Sequence, residues 1–164
     1  MIRQGTQANL SGNLLEETVQ NVFKKKGFIV ARYIEWQSRP ERFGRELLLT
    51  NAKYETIYGH KGTTEFLLLS ERFSMNIRIE CKWQQVSGSV DEKLPYLYLN
   101  CIEAMPEDHI IIIIDGQGWK EGAINWLKEA VSMKKYTSTA HRDKIIDVMD
   151  LRDFITWANT TFKT

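Results

Sequence analysis

The chain has 164 residues, 43% hydrophobic and 26% charged, which is enough apolar content to bury a core without disulfides or a structural metal. Lys and Arg number 22 against 21 Asp and Glu, so the net charge of +1 lacks the basic surplus of many nucleic-acid binders, while leaving room for acids gathered in a site ringed by scattered bases. The opening MIRQGTQANL has no apolar core of signal-peptide type and the longest apolar run, 110-IIIII-114, is too short to span a bilayer, so neither export nor membrane residence is expected.

The first amphipathic segment is 11-SGNLLEETVQNVFKKKGF-28, with Ser11 or Asn13 as cap and Gly27 as stop after three lysines suited to a helix C-terminus. Leu14, Leu15, Val19, Val22 and Phe23 recur at helical spacing and form one buried stripe. Glu17 falls on the polar side with Asn13, Gln20, Asn21 and Lys24, whereas Glu16 borders the stripe beside Val19 and Phe23. A strand follows at 28–34, then a polar loop at 36–46 that carries Arg39, Arg42 and Arg45 and can track a phosphate backbone. Three strands are expected at 47–58, 64–70 and 75–83, separated by Gly-, Ser- and charge-bearing turns. The stretch 87–105 turns into a helix, with Ser89 and Glu92 at capping-box spacing and Pro95 kinking its start. A buried strand at 109–115, a helix at 119–133, a strand at 144–149 and a helix at 150–162 capped by Asp150 complete the order. His109 opens a buried strand, and Trp119, Trp126 and Trp157 belong to core or subunit interface. No repeat, low-complexity tract or linker interrupts the chain, so it reads as one α/β domain over 1–164, a mixed sheet between helices.

Strand 76-NIRIECKWQQ-85 raises the chemical question. Ile77, Ile79, Cys81 and Trp83 alternate with Asn76, Arg78, Glu80, Lys82 and Gln84, and charges on the second face cost several kcal/mol unless paired, metal-bound or facing a cleft. In the preceding strand Glu65, Leu67 and Leu69 share one face and Phe66 and Leu68 the other, with Glu65 at the strand's entry. An antiparallel hairpin around 71–74 brings Glu65 beside Glu80 and Lys82. Glu16 can reach over the sheet toward both acids. Hard oxygen donors from Glu65, Glu80 and the Cys81 backbone carbonyl suit Mg²⁺, with Mn²⁺ substituting, for metal-assisted phosphodiester cleavage. Lys82 would hold or deprotonate the attacking water if the surrounding field lowers its pKa, and Gln84 would orient that water or a phosphate oxygen. Glu16 would act through metal-bound water. Lys93 and Tyr96 on the next helix can point at a bound phosphate, and Lys53, His60 and Lys61 lie in a turn able to meet a DNA backbone.

These residues resemble the PD-(D/E)xK nuclease superfamily: the helix with 12-GNLLE-16, then 64-TEF-66, then 80-ECK-82, in an αβββαβ order. The resemblance implies a restriction-endonuclease-like core over about 9–115, with 119–162 packed on it. It implies catalytic Glu65, Glu80, Lys82 and Glu16, the first two as metal ligands, although Glu65 stands where the family usually has Asp. The stretches 80–84 and 88–100 look like those of small stand-alone and phage-borne members. The expected activity is Mg²⁺-dependent endonucleolytic hydrolysis of DNA, in the cytoplasm of a bacterial or phage-infected cell. A nuclease of branched or flapped DNA, one directed at RNA, and an inactive nucleic-acid-binding module of the same fold are the alternatives. A homodimer would let two sites cut two strands. Cys81 and Cys101 have no metal-ligand spacing and are expected to be reduced thiols.

Overall fold

The computed structural model describes the backbone of residues 4–163 and the side chains from Gly12 to Lys163. Helix α1 spans Gln4–Lys25, so it begins well before the expected caps: Asn13 lies inside it, Ser11's backbone too, and Gly12 does not interrupt it. One interior glycine costs only about 1 kcal/mol. The end is as expected. Gly27 takes φ +86°, the Gly27 and Phe28 N–H groups return to Lys24 and Phe23 carbonyls at 3.1 Å each, and the Phe23 and Phe28 rings pack edge to face at 5.3 Å. Leu15, Val19 and Phe23 are buried, whereas Leu14, expected in the stripe, is exposed.

Strands β1 (Ile29–Arg32), β2 (Glu46–Glu55), β3 (Lys61–Ser70), β4 (Met75–Trp83), β5 (His109–Asp115) and β6 (Ile145–Met149) form one sheet in chain order. The β2–β3 and β3–β4 pairs are antiparallel and the other three are parallel. Helices α1 and α5 (Leu151–Thr161) cover one face around Leu48, Phe66, Ile77, Ile79 and Ile111. On the other face α3 (Lys93–Glu103) and α4 (Glu121–Ser132) bury Ile110, Ile112 and Ile114. This is the mixed α/β sandwich with the expected core order. Asp150 caps α5 by accepting from the Asp153 N–H at 2.7 Å. A 3-10 turn at Ser89–Glu92 precedes α3, so the helical segment starts early as expected, but the capping box does not form: Gly88 stands at the N-cap and no side chain caps either element. Among the described residues no helix is long and apolar enough to cross a membrane.

Three expectations need correction. The strand at 28–34 stops at Arg32, and the supposed loop contains helix α2 (Tyr33–Ser38), which lays Tyr33 and Trp36 on Leu47, Leu49, Ala52 and Leu67. Those two aromatics sit three residues apart, a helical signal too short to read beside a strand. Strand β2 ends at Glu55 and β3 begins at Lys61, so Glu65 is mid-strand rather than at an entry. Alternation also fails there. Asn51 has φ +53°, the β2–β3 ladder skips the Asn51–Glu65 position and resumes in the same register, and Leu49 and Ala52 fall in one cluster although three apart. Asn tolerates this left-handed backbone better than most residues.

Arg78, on the polar side of β4, is the most elaborately satisfied group in the core. Its guanidinium reaches the Ala52 carbonyl at 3.0 Å, Thr64 Oγ1 at 2.9 Å, the Lys53 carbonyl at 3.4 Å and Glu107 Oε1 at 2.9 Å, while Nε donates to Glu107 Oε2. All five N–H donors are used. The side chains are 1% and 12% exposed, against 77% and 60% for the surface pair Arg45–Glu71. Arg78→Met is expected to lose about 3 kcal/mol or more in chemical denaturation, because Glu107 and two carbonyls are orphaned under protein. Arg45→Ala is expected to change stability by less than about 1 kcal/mol.

Candidate active site

The ladder between β3 and β4 runs from Ser70–Met75 to Phe66–Ile79 and stops. Beyond that point β3 stays with β2 as far as Glu55–Lys61, and β4 stays with β5 as far as Trp83–Asp115. The sheet therefore splits, and the gap opens at Glu65 and Glu80. The Cys81 N–H, released from backbone pairing, donates to Glu65 Oε2 at 2.7 Å. The Cys81 carbonyl faces the same gap, since a strand residue presents its N–H and C=O on one edge.

Lys82 Nζ lies 2.5 Å from Glu80 Oε1 and 3.9 Å from Glu65 Oε1. Glu80 Oε2 is buried and, among the described residues, has no hydrogen-bond partner. Burial is the main influence on Glu80 and raises its carboxyl to about 7; Lys82 opposes this and Glu65 adds to it. For Lys82 burial disfavours the ammonium, but Glu80 and Glu65 together outweigh burial and hold its pKa above the ordinary lysine value. The condition for Lys82 as a base, a field that lowers its pKa, is thus not met by the protein alone. Glu16 overlooks the gap from the α1 layer, its pKa raised by burial and then by Glu65, with Lys82 opposing. Burial and the surrounding carboxylates push the Cys81 thiol well up, which removes it as a thiolate at neutral pH.

Glu65, Glu80, Lys82 and the Cys81 N–H come together, as pairing of the two strands in a hairpin implied, and Glu16, expected from the border of the α1 stripe, feels the same charges. Gln84 does not join them. It lies past the end of β4 and its Nε2 donates to the Val86 carbonyl at 2.5 Å. Gly116, at φ +96°, holds that backbone in place, since a Cβ there would lie 2.2 Å from the Gln84 carbonyl oxygen. Arg42 sits in a 3-10 turn and Arg45 beside the start of β2, which pairs with Ser70, so both stand at the end of β2–β3 remote from the gap. Arg45 is also engaged by Glu71. Lys93 opens α3 and is exposed; Tyr96 is half-buried one turn on; Lys61 is exposed where β3 begins.

Tyr54 escaped the sequence reading. It pairs with Gly62 at the end of β2–β3 where the gap opens, with the Arg78 guanidinium 5.4 Å from its ring centroid, and burial, then the charge of Glu80, pushes its phenol up to about 12. Its signal was its place in the strand Leu-Leu-Leu-Thr-Asn-Ala-Lys-Tyr, hidden because the Asn51 distortion shifts the alternation. A groove of about 690 Å³, lined by Ser70, Asn76, Glu107 and His109 among others, lies at the other end of β4. Two acids and a lysine converge at the gap, which makes the gap the candidate site.

A family model described as a PD-(D/E)XK nuclease superfamily domain matches residues 7–162. No curated protein and no solved structure matches the chain.

The Glu80 environment yields a pH test on metal-free protein. Burial holds the folded Glu80 carboxyl up at about 7, above the ordinary carboxylate value of 4.5, so between these values the folded state keeps a proton that the unfolded chain loses. Stability falls as pH rises through that window and the penalty is complete above it. In EDTA, Glu80→Gln is expected to unfold at higher temperature than wild type at pH 8, by on the order of 1 kcal/mol or more, with the two converging near pH 4.5. A wild-type advantage at pH 8 would mean that the Lys82 pairing outweighs desolvation.

Proposed function

The chain belongs to the PD-(D/E)XK nuclease superfamily, and from that premise we propose that it is a metal-dependent endonuclease hydrolysing DNA phosphodiester bonds at the gap between β3 and β4. The observation that carries this reading is the orphaned, buried Glu80 Oε2 in an opening shared with Glu65 and Lys82. A nuclease acts on nucleic acid, and members of this superfamily typically use divalent metals. The residues present fit such an ion. Glu80 has a free oxygen in a dry environment, Glu65 stands across the gap, and the Cys81 carbonyl supplies a neutral donor. Two carboxylates and a carbonyl would leave most positions to water and phosphate, which suits Mg²⁺, with Mn²⁺ able to substitute. When bound, the ion supplies Lewis-acid charge at the scissile phosphate and eases ionisation of a water.

The chain's own groups do the positioning. Glu65 and Glu80 are held on two strands that cannot close, because backbone pairing has ended between them. Lys82, kept as an ammonium by both acids, donates to the attacking water or to a phosphate oxygen and offsets the charge that develops there. The Glu65 carboxylate is fixed by the Cys81 N–H, so the extra methylene relative to Asp leaves its position defined. Glu16 orients water at the rim. Residues 1–164 act as one nuclease-like domain in this reading, with Lys61 and Lys93 approaching the DNA backbone near the gap.

Plasmid, linear duplex and single-stranded DNA incubated with Mg²⁺ or EDTA test it directly. Cleavage is expected with Mg²⁺ alone. Lys82→Ala is expected to slow it by about 10²-fold or more, and Glu80→Ala to abolish cleavage while DNA binding persists. Glu16→Gln is expected to cost about 10- to 100-fold. Calorimetric Mn²⁺ binding should weaken in Glu65→Ala. Undiminished cleavage by Lys82→Ala, or Mn²⁺ affinity unchanged by Glu65→Ala, would overturn the assigned roles.

A further inference from the structure

The β2 side of the gap continues into an exposed aromatic surface. Tyr58, in the turn between β2 and β3, is 67% exposed. Its ring stacks on Tyr96 of α3, with centroids 5.1 Å apart and planes inclined by 27°, and His60 meets its edge at 6.1 Å. The turn is fixed rather than free-standing. The side-chain carbonyl of buried Asn100 accepts the Ile57 N–H at 3.0 Å, tying the turn to α3, and the Thr56 N–H closes it on the His60 carbonyl at 2.8 Å. Tyr54 connects this surface to β4. Its ring lies over Gly62, where a Cβ would come within 2.8 Å of it, and the Arg78 guanidinium stands 5.4 Å from the ring centroid.

Cations adjoin the pair: Lys61 opens β3 just after the turn and Lys93 lies one turn before Tyr96 on α3. Both are exposed, and among the described residues neither forms an ion pair. A bare π-face held rigid by a second ring, beside unpaired ammonium groups, is what successive bases and phosphates of a single strand use. A tyrosine already fixed by its neighbour loses little freedom when a base lands on it. Bases inside a duplex cannot use such a face, because both sides of each are covered by the stack.

We propose that the Tyr58–Tyr96 pair is a stacking platform for an unpaired nucleobase, so that the strand delivered to the Glu65–Glu80 gap is single-stranded or the frayed or flapped end of a duplex. The proposal rests on the nuclease reading above and specifies its substrate.

The test measures binding, so that it does not depend on cleavage. Lys82→Ala protein in EDTA is titrated with a single-stranded oligonucleotide carrying 2-aminopurine, and with the same oligonucleotide in a blunt duplex. Quenching of 2-aminopurine is expected on the single strand. Adding Tyr58→Ala is expected to weaken single-strand binding by about tenfold or more and remove the quenching, while duplex binding changes less than about twofold. Tyr58→Phe is expected to retain both, and Tyr58→Leu, which keeps apolar bulk without a π-face, to behave like alanine. Equal weakening on both substrates, or no weakening on either, overturns the platform. Thermal melts of the variants identify any loss caused by misfolding, in which case retention of binding and quenching by Tyr58→Leu overturns it instead. Absence of cleavage by wild type with any divalent ion would sink the nuclease reading while leaving this binding result standing.

Discussion

A strand has two edges, and the site exists because β3 and β4 stop sharing theirs. β4 stays paired with β5 as far as Trp83–Asp115 and β3 with β2 as far as Lys61, save the skipped Asn51–Glu65 position, while the ladder between them ends at Phe66–Ile79. Splitting a sheet strands backbone N–H and C=O groups, and a protein must find other partners for them. Here the Glu65 carboxylate takes the Cys81 N–H. That one bond satisfies the amide and fixes an acid in the opening. Glu80 and Lys82, on the same side of β4, pair with each other beside that acid, Glu80 buried and Lys82 partly exposed.

Two buried charged residues two positions apart on β4 meet opposite fates. Every donor of Arg78 is matched, and Glu107 forms a bidentate pair with it. Such a group anchors β2, β3 and the segment before β5 around β4, and has nothing left to offer a ligand. Glu80 is nearly as deeply buried but keeps one oxygen without a partner. Burial of an unmatched carboxylate is unfavourable, and its raised pKa expresses that cost. The difference between the two residues separates architecture from chemistry more sharply than either charge does alone.

Net charge gave a poor view of electrostatics in this chain. A total of +1 hides an acid-lined gap in which even the lysine is claimed by carboxylates. Outside it, basic residues divide into those already paired, such as Arg45 with Glu71, and those left open, such as Lys61 and Lys93 near the aromatic turn. Only the second group is available to phosphates without breaking an existing contact.

Much of this was legible from the chain. Two-residue alternation marked β4 to the residue, the Gly27 stop and the Asp150 cap were readable as local chemistry, and hairpin pairing placed Glu65 by Glu80 and Lys82. Failures came where the signal was not local. Helix α2 is too short for its period to register, and Gln84 left the expected face because β4 had ended and a glycine loop pressed on its backbone. Tyr54 and the displaced alternation at Asn51 belong to one distortion shared by two strands, which neither strand's sequence displays separately. Composition and periodicity thus determined which segments are helix or strand and which side chains are apolar, since those follow from neighbours along the chain. Whether a polar side chain is satisfied, free or turned away was decided only in three dimensions, because that depends on which distant backbone groups the fold leaves without partners.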